Sequence, residues 1–277
     1  MTINQSVCVQ YSTAELATLA SFAAKSFRLF VRRKPRFFLE AMQCNRMNRI
    51  SYLLARTYVI TLLDSFTQCR AMLSGESLDD LRNVVSFMQR LRNELGGNRL
   101  LSLRPEQTLR EFWLEDTKWE RLLENMDCTL DVLSFEFRFP VFVFHSIETL
   151  RFMANRSATA LAIRLASQRN AYGVSDSDQN EIVTYGIELL KIVDLLEEDR
   201  IRLNRRELVR ALGALQFVQT IAYTFEPKNG ALSAPQCVLS QLKAVDWRRI
   251  CFVLREALMQ QPVIRPIVID WDWRKHT

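Results

Sequence analysis

The chain has 277 residues, of which 48% are hydrophobic, and it contains only 7 Gly and 7 Pro. So few turn-forming residues argue against a β-sandwich or barrel, which needs frequent turns, and favour long helices. The net charge of +6 is unevenly spread, because residues 1–56 carry nine Lys and Arg against two acidic residues, whereas the other 221 residues carry 28 basic and 29 acidic ones. This asymmetry predicts an anionic partner at one end of the molecule.

The first predicted helix begins after Ser12, which has the spacing of a capping box with Glu15. Apolar residues then recur at helical spacing toward Lys34. Pro35 ends this helix, because proline disfavours a helical conformation in the preceding residue and cannot donate a backbone hydrogen bond. A second helix is predicted to start at Pro35 and run toward Gly75. The stretch around Pro35 is therefore expected to be a corner between two helices.

Further helices follow, each opened by a Ser, Asp, Asn or Pro signal before an amphipathic run. The fold class is therefore mainly α, a multi-helix bundle of about 8 helices in a single domain spanning residues 1–277. The stretches near 96–104 and 170–178 are the candidate sub-boundaries. The later helices are predicted at 77–96, from 104 onward, and at 146–168, 177–203, 204–225 and 233–260.

Two stretches alternate apolar and polar residues with the period of two that is typical of strands. A small two-stranded β element joining residues 133–143 to 263–273 is therefore expected beside the helices. For the first stretch, a Phe-rich helix flanking Pro140 is the alternative, and the second is expected to dock its apolar face on the protein's own core. The alternating residues are Leu133, Phe135, Phe137 and Phe139 in the first stretch, and Ile267, Ile269, Trp271 and Trp273 in the second.

Residues that support catalysis are scarce. The two histidines, His145 and His276, leave almost no room for a histidine-based metal site, triad or acid–base pair. His145 lies in an aromatic run and is interpreted as a hydrogen-bonded core residue. Phosphate-cradling glycine loops and nucleophile motifs do not occur in the sequence. We therefore expect a protein that is not an enzyme and has no cofactor, no metal and no small-molecule substrate.

Two acidic clusters are the remaining candidates for a divalent cation. Their simpler interpretation is a solvated helix start for the first and, for the second, a solvated helix face paired with Arg200 and Arg202. The clusters are Asp79 and Asp80, and Asp194, Glu197, Glu198 and Asp199.

The strongest functional signal is the basic corner, which we define as residues 22–38. Cations alternate there with Phe, as in interfacial helices whose apolar anchors enter a bilayer while arginines meet anionic headgroups. An anionic membrane surface is therefore the favoured partner. The alternatives are phosphates of a nucleic acid such as RNA, an acidic groove of a protein partner, and a merely solvated rim. The candidate binding residues are Lys25, Phe27, Arg28, Phe30, Arg32, Arg33, Lys34, Arg36, Phe37 and Phe38.

Location is constrained by cysteines and apolar runs. The six cysteines are scattered singly, which favours reduced thiols in the cytoplasm. The longest uncharged apolar run, residues 211–225, would rise only about 22 Å as a helix, so peripheral contact with an organelle membrane is expected rather than a span. The first 39 residues, with one acidic residue, are also compatible with a mitochondrial targeting segment, although their capping signal favours a structured helix.

Overall fold

The computed structural model describes residues 6–31, 46–66, 75–96, 140–167, 176–226 and 234–261. These residues form a mainly α bundle with a small antiparallel sheet, which confirms the predicted fold class. The strands are β1 (Ser6–Ser12) and β2 (Pro140–Ser146). The helices are α1 (Thr13–Val31), α2 (Arg46–Phe66), α3 (Gly75–Gly96), α4 (Ile147–Ser167), α5 (Asp176–Glu197), α6 (Arg205–Thr224), α7 (Ala234–Leu242) and α8 (Trp247–Met259).

The two-stranded ribbon has different partners from those expected. Strand β2 overlaps the predicted 133–143 stretch, but it pairs with β1, in a register that places Ser6 opposite Ser146 and Ser12 opposite Pro140. β1 also alternates, with Val7, Val9 and Tyr11 buried, so its apolar face can cover the start of the bundle. Residues 133–139 and 263–273 lie outside the described residues.

Capping explains where two helices begin. The backbone N–H of Ser12 donates to Glu15 at 2.6 Å, and the N–H of Glu15 donates to the Ser12 hydroxyl at 3.2 Å. The same reciprocal pair of bonds joins Asn204 and Glu207 at the start of α6. Each pair satisfies backbone donors that the first helical turn leaves open. Both predicted starts, after residue 12 and at residue 204, are therefore confirmed.

The single helix predicted over 233–260 is wrong, because it is two helices separated at residues 243–246. Asp246 caps α8, and its carboxylate accepts from the backbone N–H groups of Arg248 and Arg249 at 3.1 and 3.0 Å. The indole N–H of Trp247 donates to the Leu242 carbonyl, at the end of α7, at 3.0 Å. These side-chain bonds stabilise the break without Gly or Pro.

The core is one cluster of buried side chains to which all ten elements contribute. Helix α1 lies near its centre and packs against α2, α3, α5, α7 and the ribbon. Its small residues Ala14, Ala17, Ala20 and Ala24 are fully buried, which allows close packing of neighbouring helices. A single domain for the whole chain stays a prediction.

The contacts of helix α5 show in which direction its neighbours run. Glu15 pairs with Lys191 at 3.0 Å, and the rings of Phe22 and Tyr185 meet edge to face at 5.5 Å. Helix α1 is therefore antiparallel to α5. Helix α4 is antiparallel to it as well, and α6 returns after the connector 198–204. We call the end where α1, α4 and α6 end and α5 begins the distal pole, and the opposite end the ribbon pole.

No helix within the described ranges combines the length and the apolar character that a membrane crossing requires.

Candidate functional site

The basic corner begins in α1 at the distal pole. Lys25 is half-buried on this helix, three residues after Phe22, which packs on α5. Phe27, Arg28 and Phe30 belong to the last two turns of α1. The other predicted binding residues lie outside the described residues, so the structure does not bring them together or separate them. These are Arg32, Arg33, Lys34, Arg36, Phe37 and Phe38.

The distal pole also exposes large apolar side chains. Ile163 and Leu165, at the end of α4, are 64% and 48% exposed, and Tyr223, at the end of α6, is 57% exposed. Arg164 lies between the first two and forms an ion pair with Asp178 at 2.8 Å, which fixes the end of α4 against the start of α5. Apolar groups and the cation-rich end of α1 are therefore features of the same pole.

An apolar groove runs along the outer side of α4 toward this pole. It has a volume of about 880 Å³ and extends from Ile147 to Ile163, with Ile50 of α2 also lining it. Arg151 and Glu148 bring charges of opposite sign to the lining of the groove, and Arg156 lines it while paired with Glu188. The groove therefore continues the apolar surface of the distal pole along one flank.

Sequence reasoning missed Glu188, the most buried charged residue among those that the structure describes. Its side chain is fully buried in α5 and accepts from the Ser157 hydroxyl at 2.5 Å and from the Tyr58 hydroxyl at 3.4 Å. Arg156 of α4 forms a salt bridge with it. Burial opposes the charge on Arg156, but the attraction and hydrogen bond of Glu188 prevail, so the pKa of Arg156 is raised. A charged residue within the buried face of α5, one turn from Thr184 and Ile192, was the available signal.

The buried polar network extends from Tyr58 to the ribbon. The Tyr11 hydroxyl and His145 Nε2 lie 3.2 Å apart, within hydrogen-bond distance, and the rings of Tyr11, Tyr58 and His145 meet edge to face. Burial lowers the pKa of His145 to about 4 and raises the pKa values of both tyrosines, so all three are neutral at pH 7. His145 is thus a hydrogen-bonded core residue, as predicted.

The network connects five elements: β1, β2, α2, α4 and α5. Glu188, Tyr58, Tyr11 and His145 are each less than 5% exposed. A substrate in solvent therefore has no direct access to them, and their hydrogen bonds instead fix how the ribbon and helices fit together. Within the described ranges, His, Cys, Asp and Glu form no cluster of three or more that could hold a metal ion.

A charged cleft of about 640 Å³ lies at the ribbon pole, between β1, the end of α5 and the start of α8. Arg249 bridges Asp194 at 2.8 Å and also pairs with Glu197, and the hydrogen bond with Glu197 raises the pKa of Arg249. Arg200 pairs with Glu198 at 3.1 Å. The cleft is therefore lined by charges that already neutralise one another.

The acidic clusters can now be placed. Glu198 and Asp199 pair with Arg200 and Arg202, as expected. The first cluster differs from expectation, because Asp80 is buried while Asp79 is exposed. The reason is helical geometry: Asp80 precedes Leu81 on the face of α3 that enters the core.

Comparison of the chain with protein-family models, with curated proteins and with solved structures gives no match. Its function is therefore inferred from its own residues.

Proposed function

We propose that this chain is a non-enzymatic helical binding protein that associates peripherally with an anionic membrane surface through the basic corner. The observation that carries the proposal is the direction of α1, which ends at the pole where Ile163, Leu165 and Tyr223 are exposed. Positive charge next to exposed apolar side chains is the combination that interfacial binding requires, because headgroups attract the cations and the acyl boundary accepts the apolar groups.

The cation count suits reversible association. Each Lys or Arg close to an anionic bilayer contributes about 1 kcal/mol, and this contribution falls off within a Debye length. The six cations Lys25, Arg28, Arg32, Arg33, Lys34 and Arg36 would thus supply up to about 6 kcal/mol, with insertion of Phe side chains adding to it. The corresponding location is the cytoplasmic side of an organelle membrane, where anionic lipids are presented.

The test is flotation of the full chain with phosphatidylcholine vesicles that contain or lack phosphatidylserine. The double variant Arg32→Glu/Arg33→Glu reverses two charges, so binding to the anionic vesicles is expected to fall roughly 100- to 1000-fold. Its melting temperature should stay close to that of the unmodified chain if the two arginines are exposed as membrane contact requires, because exposed substitutions change stability by less than about 0.5 kcal/mol.

A matched control reverses two charges at the ribbon pole. Arg205→Glu/Arg206→Glu has the same net charge as the corner variant and should retain vesicle binding. Equal losses in the two variants would contradict a specific role of the corner, and unfolding of the corner variant would show that its arginines are structural. Binding that disappears with salt alone would indicate phosphate contacts, because hydrophobic insertion is not screened.

A further inference from the structure

Helix α8 has two faces with different roles. Trp247, Ile250, Val253 and Leu254 form the inner face and are buried in the core. The outer face carries a stripe of Arg248, Phe252, Arg255 and Met259, spaced so that each lies one turn from the next. Phe252 and Met259 are 63% and 78% exposed. The outer stripe therefore alternates cations with single apolar side chains.

The first two turns of α6 present a second group of cations. Arg205, Arg206 and Arg210 are exposed there, and Val209 between them is 54% exposed. The two helices pack against each other, and the Gln261 side chain, just beyond α8, donates to the Leu203 carbonyl at 3.2 Å. The end of the α8 stripe therefore lies beside the start of α6. The α6–α8 arginine surface comprises Arg205, Arg206, Val209, Arg210, Arg248, Phe252, Arg255 and Met259.

The arginines of this surface differ from their neighbours in having no acidic partner. Among the described residues, ion pairs engage Arg200, Arg202 and Arg249, but no carboxylate lies within 4.0 Å of the five guanidinium groups of the surface. Glu207 of α6 is occupied, since its carboxylate accepts from the Asn204 backbone and from the Asn155 side chain. Glu256, the acidic residue of α8, is exposed and lies one turn after Phe252. Unpaired guanidinium groups suit the bidentate recognition of phosphate.

The arrangement of apolar groups distinguishes a polynucleotide from a bilayer. An interfacial helix needs a continuous apolar face, and α8 uses its own in the core. On the outer face, Phe252 lies one turn from both Arg248 and Arg255, which suits a base stacked on the ring with phosphates on either side. Bases of single-stranded RNA are free to stack in this way, whereas those of a duplex are already stacked.

We propose that the α6–α8 arginine surface binds single-stranded RNA without sequence preference. The five arginines contact backbone phosphates, and Phe252 stacks on one base. The stripe of α8 from Arg248 to Met259 is about 16 Å long, and the adjoining turns of α6 extend it, which accommodates a stretch of several nucleotides. This site lies at the ribbon pole and is independent of the proposed membrane corner.

The experiment is fluorescence anisotropy of a labelled oligouridylate of about 20 nucleotides with the full chain over a range of NaCl concentrations. Five phosphate contacts predict a slope of about −3.5 in log K against log salt. The variant Arg205→Gln/Arg206→Gln/Arg210→Gln should reduce the size of that slope by about 2. Arg151→Gln, an exposed arginine on α4, is the control and should leave the slope unchanged.

The stacking role is tested by Phe252→Ala, which should weaken binding roughly 5- to 150-fold. Tyr223→Ala removes an aromatic ring of similar exposure at the distal pole and should have no effect on RNA binding. The corner variant Arg32→Glu/Arg33→Glu should bind RNA normally, so failure of this site and failure of the membrane corner give different results. Absence of RNA binding at low salt, or a triple variant that binds like the unmodified chain, would overturn the proposal. The proposal would also be overturned if the triple variant kept RNA binding but lost vesicle binding.

Discussion

Glu188 illustrates how a single residue can constrain several elements. A buried carboxylate is costly to desolvate, and its partners must compensate for that cost. Arg156 supplies the opposite charge, and Ser157 and Tyr58 donate hydrogen bonds. Because these partners come from α2 and α4, the position of Glu188 in α5 determines how three helices fit together. Apolar packing alone is less selective.

Removal of one partner of the buried pair should therefore lower the stability of the fold strongly. We expect Glu188→Gln to lower the free energy of unfolding by about 3 kcal/mol, because it leaves Arg156 without its counter-ion in a largely buried site. The double variant Glu188→Leu/Arg156→Met should recover most of that loss. Urea unfolding measures the free energy of unfolding of the single and the double variant. Glu198→Gln, which breaks the exposed pair with Arg200, is the control and should cost less than about 1 kcal/mol. Equal losses in Glu188→Gln and Glu198→Gln would refute the role assigned to the buried pair.

His145 makes stability depend on pH. Burial lowers its pKa in the folded chain to about 4, whereas an unfolded histidine has a pKa of about 6.5. Between these pH values the unfolded state therefore binds more protons than the folded state. The stability that comes from burying a neutral imidazole is present in full above pH 6.5 and is lost as the pH falls toward 4. From pH 7 to 4.5 the loss is about 2 to 3 kcal/mol.

The variant His145→Gln isolates this contribution, because its side chain does not titrate. Urea unfolding of both proteins at pH 7 and at pH 4.5 gives four free energies of unfolding. The unmodified chain should lose more stability than the variant over this interval, by the amount stated above. If both proteins lose the same amount, the pKa of His145 is not depressed.

At the scale of the elements, the space around two glycines shows how closely α5 and α6 approach each other. A Cβ added at Gly186 of α5 would lie 2.9 Å from Val218 Cγ1 of α6, whereas one added at Gly213 would meet nothing within 4 Å. Alanine favours a helix over glycine by about 1 kcal/mol. At Gly186 this gain competes with overpacking, which costs about 1 to 3 kcal/mol when the neighbour is a stiff, β-branched side chain.

The two alanine variants should therefore differ in sign. Gly213→Ala is expected to raise the free energy of unfolding by about 0.5 to 1 kcal/mol, and Gly186→Ala to lower it by about 1 kcal/mol. Combining Gly186→Ala with Val218→Ala should show a favourable coupling, because the second change makes room for the first. Thermal unfolding of the unmodified chain, the single variants Gly213→Ala, Gly186→Ala and Val218→Ala, and the double variant checks these expectations. A Gly186→Ala variant that melts higher would disprove the close approach of α5 and α6.

Local signals allowed most helices to be predicted. The capping residues Ser12 and Asn204 bond to residues three positions away, so the starts of these helices can be predicted from the local sequence alone. The break before Asp246 lacks Gly and Pro, and it depends on bonds that only the folded chain makes. The strand at Ser6–Ser12 was missed because its partner is distant in sequence. The candidate site was predicted from charge and Phe content, and Glu188 was missed because composition does not reveal which carboxylate is buried.

At the scale of the whole molecule, the described residues of the two proposed sites are at opposite ends of α5. This helix has 22 residues, which corresponds to a length of about 33 Å. The described part of the basic corner, residues 22–31, is the end of α1 at the distal pole, whereas the α6–α8 arginine surface adjoins the connector at the ribbon pole. The molecule is therefore long enough to contact a bilayer at one end while it holds an RNA strand at the other.

The pairing of β1 with β2 has a consequence for synthesis on the ribosome. Tyr11 and His145 are 134 positions apart, so β1 cannot pair with β2 until the intervening residues have been made. At 5 to 20 residues per second, this wait is on the order of ten seconds. Helix α1 meets α2 and α3 early, but its contacts with α5 and α7 form only after residues 176–242 emerge. The region from β1 to α1 is thus made before most of the elements that cover it.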